Sequence, residues 1–273
     1  MTDTQKSIIL VGCGNMGRAM LESWAACECV KPENIHVVEP AEALRNKLTT
    51  FGVSIYSSAD ALPEGLKPVL FIMAVKPQVM FDVAPDYQKY VDGGAAVLSI
   101  AAGIGTKRFE KAYGASTAVV RVMPNTPAAV AKGMMVIYTN EFVTEQQSAL
   151  VEELMQANGA FATIDDEALM DAVTAVSGSG PAYVFHVIEA MIEAGIAAGL
   201  PDETAKLLAE QTVYGAACYA KESGVDAKTL REQVTSPNGT TAAALAVLMK
   251  DNALKNLMRD AVAASKKRSE ELG

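Results

Sequence analysis

Gly12-Cys13-Gly14-Asn15-Met16-Gly17 follows directly on the apolar run Ser7–Val11 and opens a stretch of helical character from Asn15 to about Ala26. Three glycines at this spacing between a strand and a helix fit a dinucleotide-binding turn. The first makes the tight turn, the second lets a pyrophosphate reach the backbone, and the third lets helix and strand pack closely. Amides exposed at the helix start, with the positive end of its dipole, then favour the phosphates. Gly12, Gly14, Asn15, Met16 and Gly17 are therefore candidate cofactor contacts. A tight turn with no ligand would use similar residues, so the neighbouring strands must decide.

Working outward, Ile35–Glu39 is a second strand, and its last residue lies 22 positions after Gly17. An acidic residue about 20 residues on accepts hydrogen bonds from the adenosine ribose, which favours NAD. Glu39 would repel the 2'-phosphate of NADP unless a cation compensates, and Arg45 is the candidate cation. Ala41–Phe51 is expected to be a helix closed by Gly52. Val69–Val75 and Ala95–Ala102 are nearly all apolar, as strands covered on both faces should be. Alternation of strand and helix implies a parallel, doubly wound sheet. Two strand ends carry unusual punctuation: Ala74-Val75-Lys76-Pro77-Gln78, and Met123-Pro124-Asn125 within Arg121–Pro127. Ligands in such sheets sit beyond the carboxyl ends of the strands, so both segments should border the nicotinamide. Their prolines could otherwise simply end strands.

After the strand-like Ala160–Ile164 only Ala-rich helical stretches follow, at Ala182–Ala198, from Asp202 to about Ser223, at Thr241–Lys250, and from Ala253 to about Glu271. This predicts an α/β chain with a Rossmann-type domain over 1–164 and an all-α domain over 165–273. Ala182–Ala198 has little polar face, and in so small a domain a second subunit is its expected cover. The 273 residues are 50% hydrophobic and 20% charged, a globular balance, with a formal charge of -9. Such a chain lacks the basic footprint of a nucleic-acid binder. No apolar run reaches the roughly 18 residues of a membrane span. The polar opening Met1–Lys6 lacks the layout of a secretory signal, so the expected compartment is the cytoplasm. Cys13, Cys27, Cys29 and Cys218 form no Cys-x-x-Cys pair and have no histidines at metal spacing. Reduced thiols and no metal are expected.

Two loop-to-helix junctions, Ser177-Gly178-Ser179-Gly180-Pro181 and Ser236-Pro237-Asn238-Gly239-Thr240-Thr241, offer backbone amides to a small anion such as a carboxylate, or are ordinary helix caps. Taken with Asp171–Thr174, Ala182–Phe185, Glu189-Ala190, Gly199-Leu200-Pro201, Gln211-Thr212 and Val234-Thr235, they resemble the signature of the pyrroline-5-carboxylate reductase family. Ala74–Gln78, Ser99–Gly103 and Met123–Pro127 are similar to that family too. The resemblance covers nearly the whole chain. It implies reduction of L-1-pyrroline-5-carboxylate to L-proline, the last step of proline biosynthesis, by an oxidoreductase using NADPH or NADH. It also implies a helical C-terminal dimerisation domain, sites completed across a homodimer, and a dimer that acts alone or within a larger assembly.

By the same resemblance, Glu167, Thr240 and Thr241 contact substrate, the Ser177–Pro181 loop lies beside it, and Ala101 and Ala102 join Ala74–Pro77 and Met123–Asn125 at the cofactor. Glu222 matches a family position near the site, although this chain is longer between it and Ser236. Where family members carry Ser, Asn or Arg for the 2'-phosphate, this sequence has Val38-Glu39-Pro40. Reduction of a cyclic imine needs a hydrogen-bond partner for the ring nitrogen; Thr241 is assigned that role, with the Gly239, Thr240 and Thr241 amides on the carboxylate. The protein otherwise supplies alignment and a dry pocket. A β-hydroxyacid dehydrogenase has a similar layout but calls for a lysine that the 167–200 stretch lacks. A third reading is a dinucleotide sensor without catalysis. His186, alone on an apolar helix, reads as a core residue.

Overall fold

The computed structural model describes residues 7–27 and 29–273; the polar opening Met1–Lys6 lies outside the described residues. Eight strands form one sheet: β1 (Ile8–Val11), β2 (Ile35–Val38), β3 (Ser54–Tyr56), β4 (Leu70–Met73), β5 (Ala96–Ser99), β6 (Val119–Met123), β7 (Gly133–Thr139) and β8 (Gly159–Thr163). Their spatial order is β3-β2-β1-β4-β5-β6-β7-β8. All neighbours run parallel except β6 and β7. The first six strands thus have the doubly wound 3-2-1-4-5-6 order, whose direction reverses at β1 and β4 and leaves a crevice at their carboxyl ends.

Every residue of β1, β2, β4, β5 and β6 is buried; β1 and β4 accordingly read as continuous apolar runs, while β2, β5 and β6 also bury His36, Ser99 and Arg121. One core cluster gathers Trp24, Met20 and Leu154 on one face of the sheet, and another gathers Phe71, Tyr87 and Phe109. The indole of Trp24 donates to Leu154 O at 2.9 Å, so even this buried ring has its polar atom satisfied.

The helix after the glycine loop spans Asn15–Ala26, as expected. The helix expected over Ala41–Phe51 is not continuous: only Glu42–Arg45 is α-helical, and a 3-10 turn covers Thr49–Phe51. Thr49 Oγ1 donates to Asn46 O at 3.2 Å, a local bond that competes with the helical ladder. Gly52 does adopt the left-handed cap, with φ +71°. Cys27 and Cys29 are joined by a disulfide, with Cα atoms 5.5 Å apart, so the expectation of four reduced thiols fails for this pair. Cys13 and Cys218 are free.

From residue 167 onward the described chain is helical, with helices Gly180–Ala197, Asp202–Glu222, Ala227–Gln233, Thr240–Leu248 and Ala253–Leu272. Two compact units result. One runs to Ser179 and takes in Ser265–Gly273; the other is Gly180–Ala264. No described helix is long and apolar enough to cross a membrane.

Candidate functional site

Gly12 sits at φ +83°, and a Cβ there would come within 2.8 Å of Val75 Cγ1. Only glycine meets both the conformation and the close approach. Gly17 has the packing role: its Cβ would lie 2.8 Å from Gly12 O. Around Gly14, by contrast, a Cβ would meet nothing within 4 Å, and as N-cap it offers no side chain to the first helical turn. The second glycine therefore borders open space beside free amides, the arrangement a pyrophosphate requires.

Glu39 is 5% exposed at the end of β2. Its Oε2 accepts from Cys13 N–H at 2.8 Å and its Oε1 from Ala41 N–H at 2.9 Å. The carboxylate is thereby oriented against the glycine loop, with lone pairs left over on both oxygens. Arg45 Nη1 donates to the carbonyls of Glu39 (2.9 Å) and Pro40 (2.6 Å), which anchors this cation at the same strand end. Burial, reinforced by Glu39, pushes the Cys13 thiol up to about 12, so the cysteine inside the motif is a small apolar residue and no nucleophile.

Beyond the carboxyl ends of β1, β4, β5 and β6 lies a cleft of about 520 Å³. It is lined by the loop Gly14–Gly17, Ala74–Pro77, Ile100–Ala102, Met123–Thr126, and Thr174, Gly178 and Ser179. Of the candidate cofactor residues, all but Gly12 and Glu39 line it. Three residues of this lining, Ile100, Thr126 and Thr174, were not among the candidate site residues, although each lies in a segment that carries the family resemblance. Thr126 lies within Arg121–Pro127, the strand end expected to border the nicotinamide. Thr174 lies where a π-helical turn, Thr174–Gly178, precedes the Ser-Gly loop.

That turn is pinned from several sides. Asn125 Nδ2 donates to Ser177 O at 3.1 Å while its Oδ1 accepts from Met134 N–H at 2.9 Å, tying β7 and the loop together. A Cβ on Gly178 would approach Met123 Sδ to 3.2 Å. Ser179 Oγ lies 2.9 Å from Ser265 Oγ. Glu167 is outside the cleft lining; its Oε1 accepts from Thr106 N–H (2.8 Å) and its Oε2 from Thr106 Oγ1–H (2.7 Å), with Arg121 Nη1 3.2 Å away. Gly180 and Pro181 begin the next helix and the other compact unit.

In that second unit, Gly239 is the N-cap of Thr240–Leu248 and has no side-chain cap bond. A Cβ on it would sit 2.7 Å from Ser236 Oγ, which explains a glycine beside this serine. Thr240 is exposed and Thr241 half-buried. His186, expected in the core, is instead exposed and 3.1 Å from Glu189 Oε2, because its helix buries no side chain within a single chain. His36 is buried, with Nδ1 3.1 Å from the Tyr56 hydroxyl. Among the described residues no three His, Cys, Asp or Glu side chains converge to hold a metal ion.

A family model for pyrroline-5-carboxylate reductase dimerisation matches residues 167–272, and one for coenzyme F420-dependent NADP oxidoreductases matches residues 7–103. The pyrroline-5-carboxylate reductase of Synechocystis sp. is 40% identical over 268 residues, 97% of each chain. That of Arabidopsis thaliana is 37% identical, covering 96% of this chain and 94% of its own. Among solved structures, a pyrroline-5-carboxylate reductase from Coxiella burnetii is 35% identical, with a TM-score of 0.91 over 98% of this chain and 99% of that one. The Plasmodium falciparum pyrroline carboxylate reductase with NADP bound is 30% identical, with a TM-score of 0.86 over 99% of both.

Proposed function

This chain belongs to the pyrroline-5-carboxylate reductase family, and from that premise we propose that its cleft holds the reacting end of NADPH or NADH while the two Ser-Gly and Gly-Thr junctions hold the substrate. The enzyme is an NAD(P)-dependent oxidoreductase that reduces the carbon–nitrogen double bond of L-1-pyrroline-5-carboxylate to give L-proline. The observation that carries the site assignment is the crevice itself. It lies at the topological switch point and is lined both by the glycine loop and by Thr174, Gly178 and Ser179.

The bound nicotinamide supplies hydride. Gly14–Gly17 amides take the pyrophosphate, Glu39 accepts from the adenosine ribose, and Ala74–Pro77, Ala101, Ala102 and Met123–Asn125 flank the nicotinamide ring. Ser177–Pro181 and Glu167 border the substrate. Amides of Gly239, Thr240 and Thr241 receive its carboxylate, and the Thr241 hydroxyl bonds the ring nitrogen as its charge changes. The helical region functions as a homodimer in the cytoplasm, free or within a larger assembly, and the sites are completed across the dimer.

Incubation of the purified protein with NADPH or NADH and a panel of imino and keto acids tests this reading. Stoichiometric appearance of proline from pyrroline-5-carboxylate is expected. Oxidation of cofactor by keto acids alone would instead favour a hydroxyacid dehydrogenase.

A further inference from the structure

Arg121 is a charged residue in the middle of β6, 5% exposed, between Ser99 of β5 and Tyr138 of β7 in register. Its Nη1 meets Glu167 Oε1 at 3.2 Å, while its Nε and Nη2 are buried without a hydrogen-bond partner among the described residues. A buried guanidinium so sparsely satisfied depends heavily on its single carboxylate. That carboxylate is shared: Glu167 also accepts from Thr106 N–H at 2.8 Å and from Thr106 Oγ1–H at 2.7 Å. Thr106 opens the helix Thr106–Tyr113, whose N-cap, Gly105, contributes no side chain, and Glu167, 61 residues away, supplies an acceptor for the first of that helix's orphan amides.

The two chain segments joined here lead to two different stretches of the cleft lining. Four residues before Thr106 is Ala102, the last of Ile100–Ala102. Seven residues after Glu167 is Thr174, the first of Thr174, Gly178 and Ser179. The described structure between Glu167 and Thr174 is continuously helical, so a shift at Glu167 passes along a rigid element. We propose that Arg121 is a positioning residue: with Thr106 it clamps the Glu167 carboxylate, and the clamp sets the separation of the Ile100–Ala102 and Thr174–Ser179 segments that border the cofactor. Arg121 touches neither substrate nor cofactor in this scheme. Arginine suits the place because its planar fork fixes the direction of the carboxylate, whereas a lysine would keep the charge and lose that direction. The inference rests on the cleft being the cofactor site, and does not depend on Glu167 contacting substrate.

The test uses the full-length protein and the variants Thr106→Val, Arg121→Lys, Arg121→Met and Thr106→Val/Arg121→Met, with NADPH affinity read by fluorescence and KM and kcat for pyrroline-5-carboxylate measured separately. Thr106→Val deletes one hydrogen bond at constant shape and is expected to weaken NADPH binding or raise KM about fivefold. Arg121→Met should cost about tenfold or more, with Arg121→Lys recovering part of it. Because both side chains act through one carboxylate, the double variant should lose clearly less than the product of the single losses. Should Arg121→Met fail to fold, Thr106→Val and Arg121→Lys carry the test. Variants with lowered thermal midpoints but wild-type NADPH affinity and KM would overturn the proposal and leave a purely structural ion pair, as would losses that simply multiply. Failure of the wild-type protein to bind either NADPH or NADH would instead refute the assignment of the cleft.

Discussion

The Glu39 carboxylate already accepts two backbone amides, from the glycine loop and from Ala41, so its negative charge is held in place where an adenosine ribose would arrive. A 2'-phosphate must approach that charge, with Arg45 anchored at the same strand end in partial compensation. Replacing Glu39 by Ser should shift the ratio of kcat/KM toward NADPH by about tenfold, or about 1.4 kcal/mol. The structure adds that Ser cannot reach both amides, so Glu39→Gln, which keeps an acceptor and removes the charge, should give the shift with less loss of stability. An unchanged cofactor ratio in both variants would place Glu39 outside the site. Thr241→Val tests the imine end in the same spirit. It keeps the shape and deletes a hydroxyl, and loss of one preorganised donor costs about 2.7 to 4 kcal/mol, so single-turnover reduction should slow by roughly 10² to 10³ while NADPH affinity holds. Thr240→Val, at an exposed position assigned a backbone role, should be far milder. His36 gives a pH dependence: burial lowers its pKa below the ordinary 6.5, so the unfolded chain takes up the proton first. Stability is then intact above about pH 6.5 and is lost as the pH falls through the lowered folded value. Thermal midpoints of His36→Asn should decline less than those of the wild type between about pH 7 and pH 5, and parallel curves would refute the assignment.

At the scale of elements, what the sequence revealed was whatever depends on local pattern. The glycine turn, the helix after it and the fully buried strands follow from composition and spacing, because each is decided within a dozen residues. Ala41–Phe51 misled because helical periodicity continues through Thr49, whose hydroxyl turns back to Asn46 O. Most of the cleft lining was legible, since strand ends carry Pro and Gly where the chain must turn. The Arg121–Glu167–Thr106 cluster was not, because its members are 15 to 61 residues apart and no periodicity links them. Nor was the return of the last helix. Ser269, 3% exposed, donates to Asp171 Oδ1 at 2.6 Å, and Ser265 meets Ser179, so the end of Ala253–Leu272 is fastened beside the segment that leads into the cleft. A hydrogen bond to a charged group contributes about 1.5 to 3 kcal/mol, and Ser269→Ala should destabilise the fold by that order in denaturant titrations. Wild-type stability in that variant would mean that the last helix is fastened by other contacts.

At the scale of the molecule, the two units differ in how they treat apolar side chains. The sheet unit buries most of them; the helix Gly180–Ala197 buries none, and Phe185 (56%), Tyr214 (63%) and Val247 (73%) stand exposed along Gly180–Ala264. A monomer seldom leaves contiguous apolar surface of this kind in water. The family model matching residues 167–272 is a dimerisation model, so a second copy of the chain is the natural cover, and a closed twofold arrangement would use the same faces on both protomers. The buried area should exceed the roughly 2,000 Å² at which obligate interfaces begin. Mass action then makes stability depend on concentration, since dissociation and unfolding of these helices are one process. The thermal midpoint should accordingly rise as the protein is concentrated over about a hundredfold range, and sedimentation at the dilute end should show no folded monomer. A fully active monomer with a concentration-independent midpoint would overturn this prediction, and would require the exposed faces of Gly180–Ala264 to be covered by something other than a second copy.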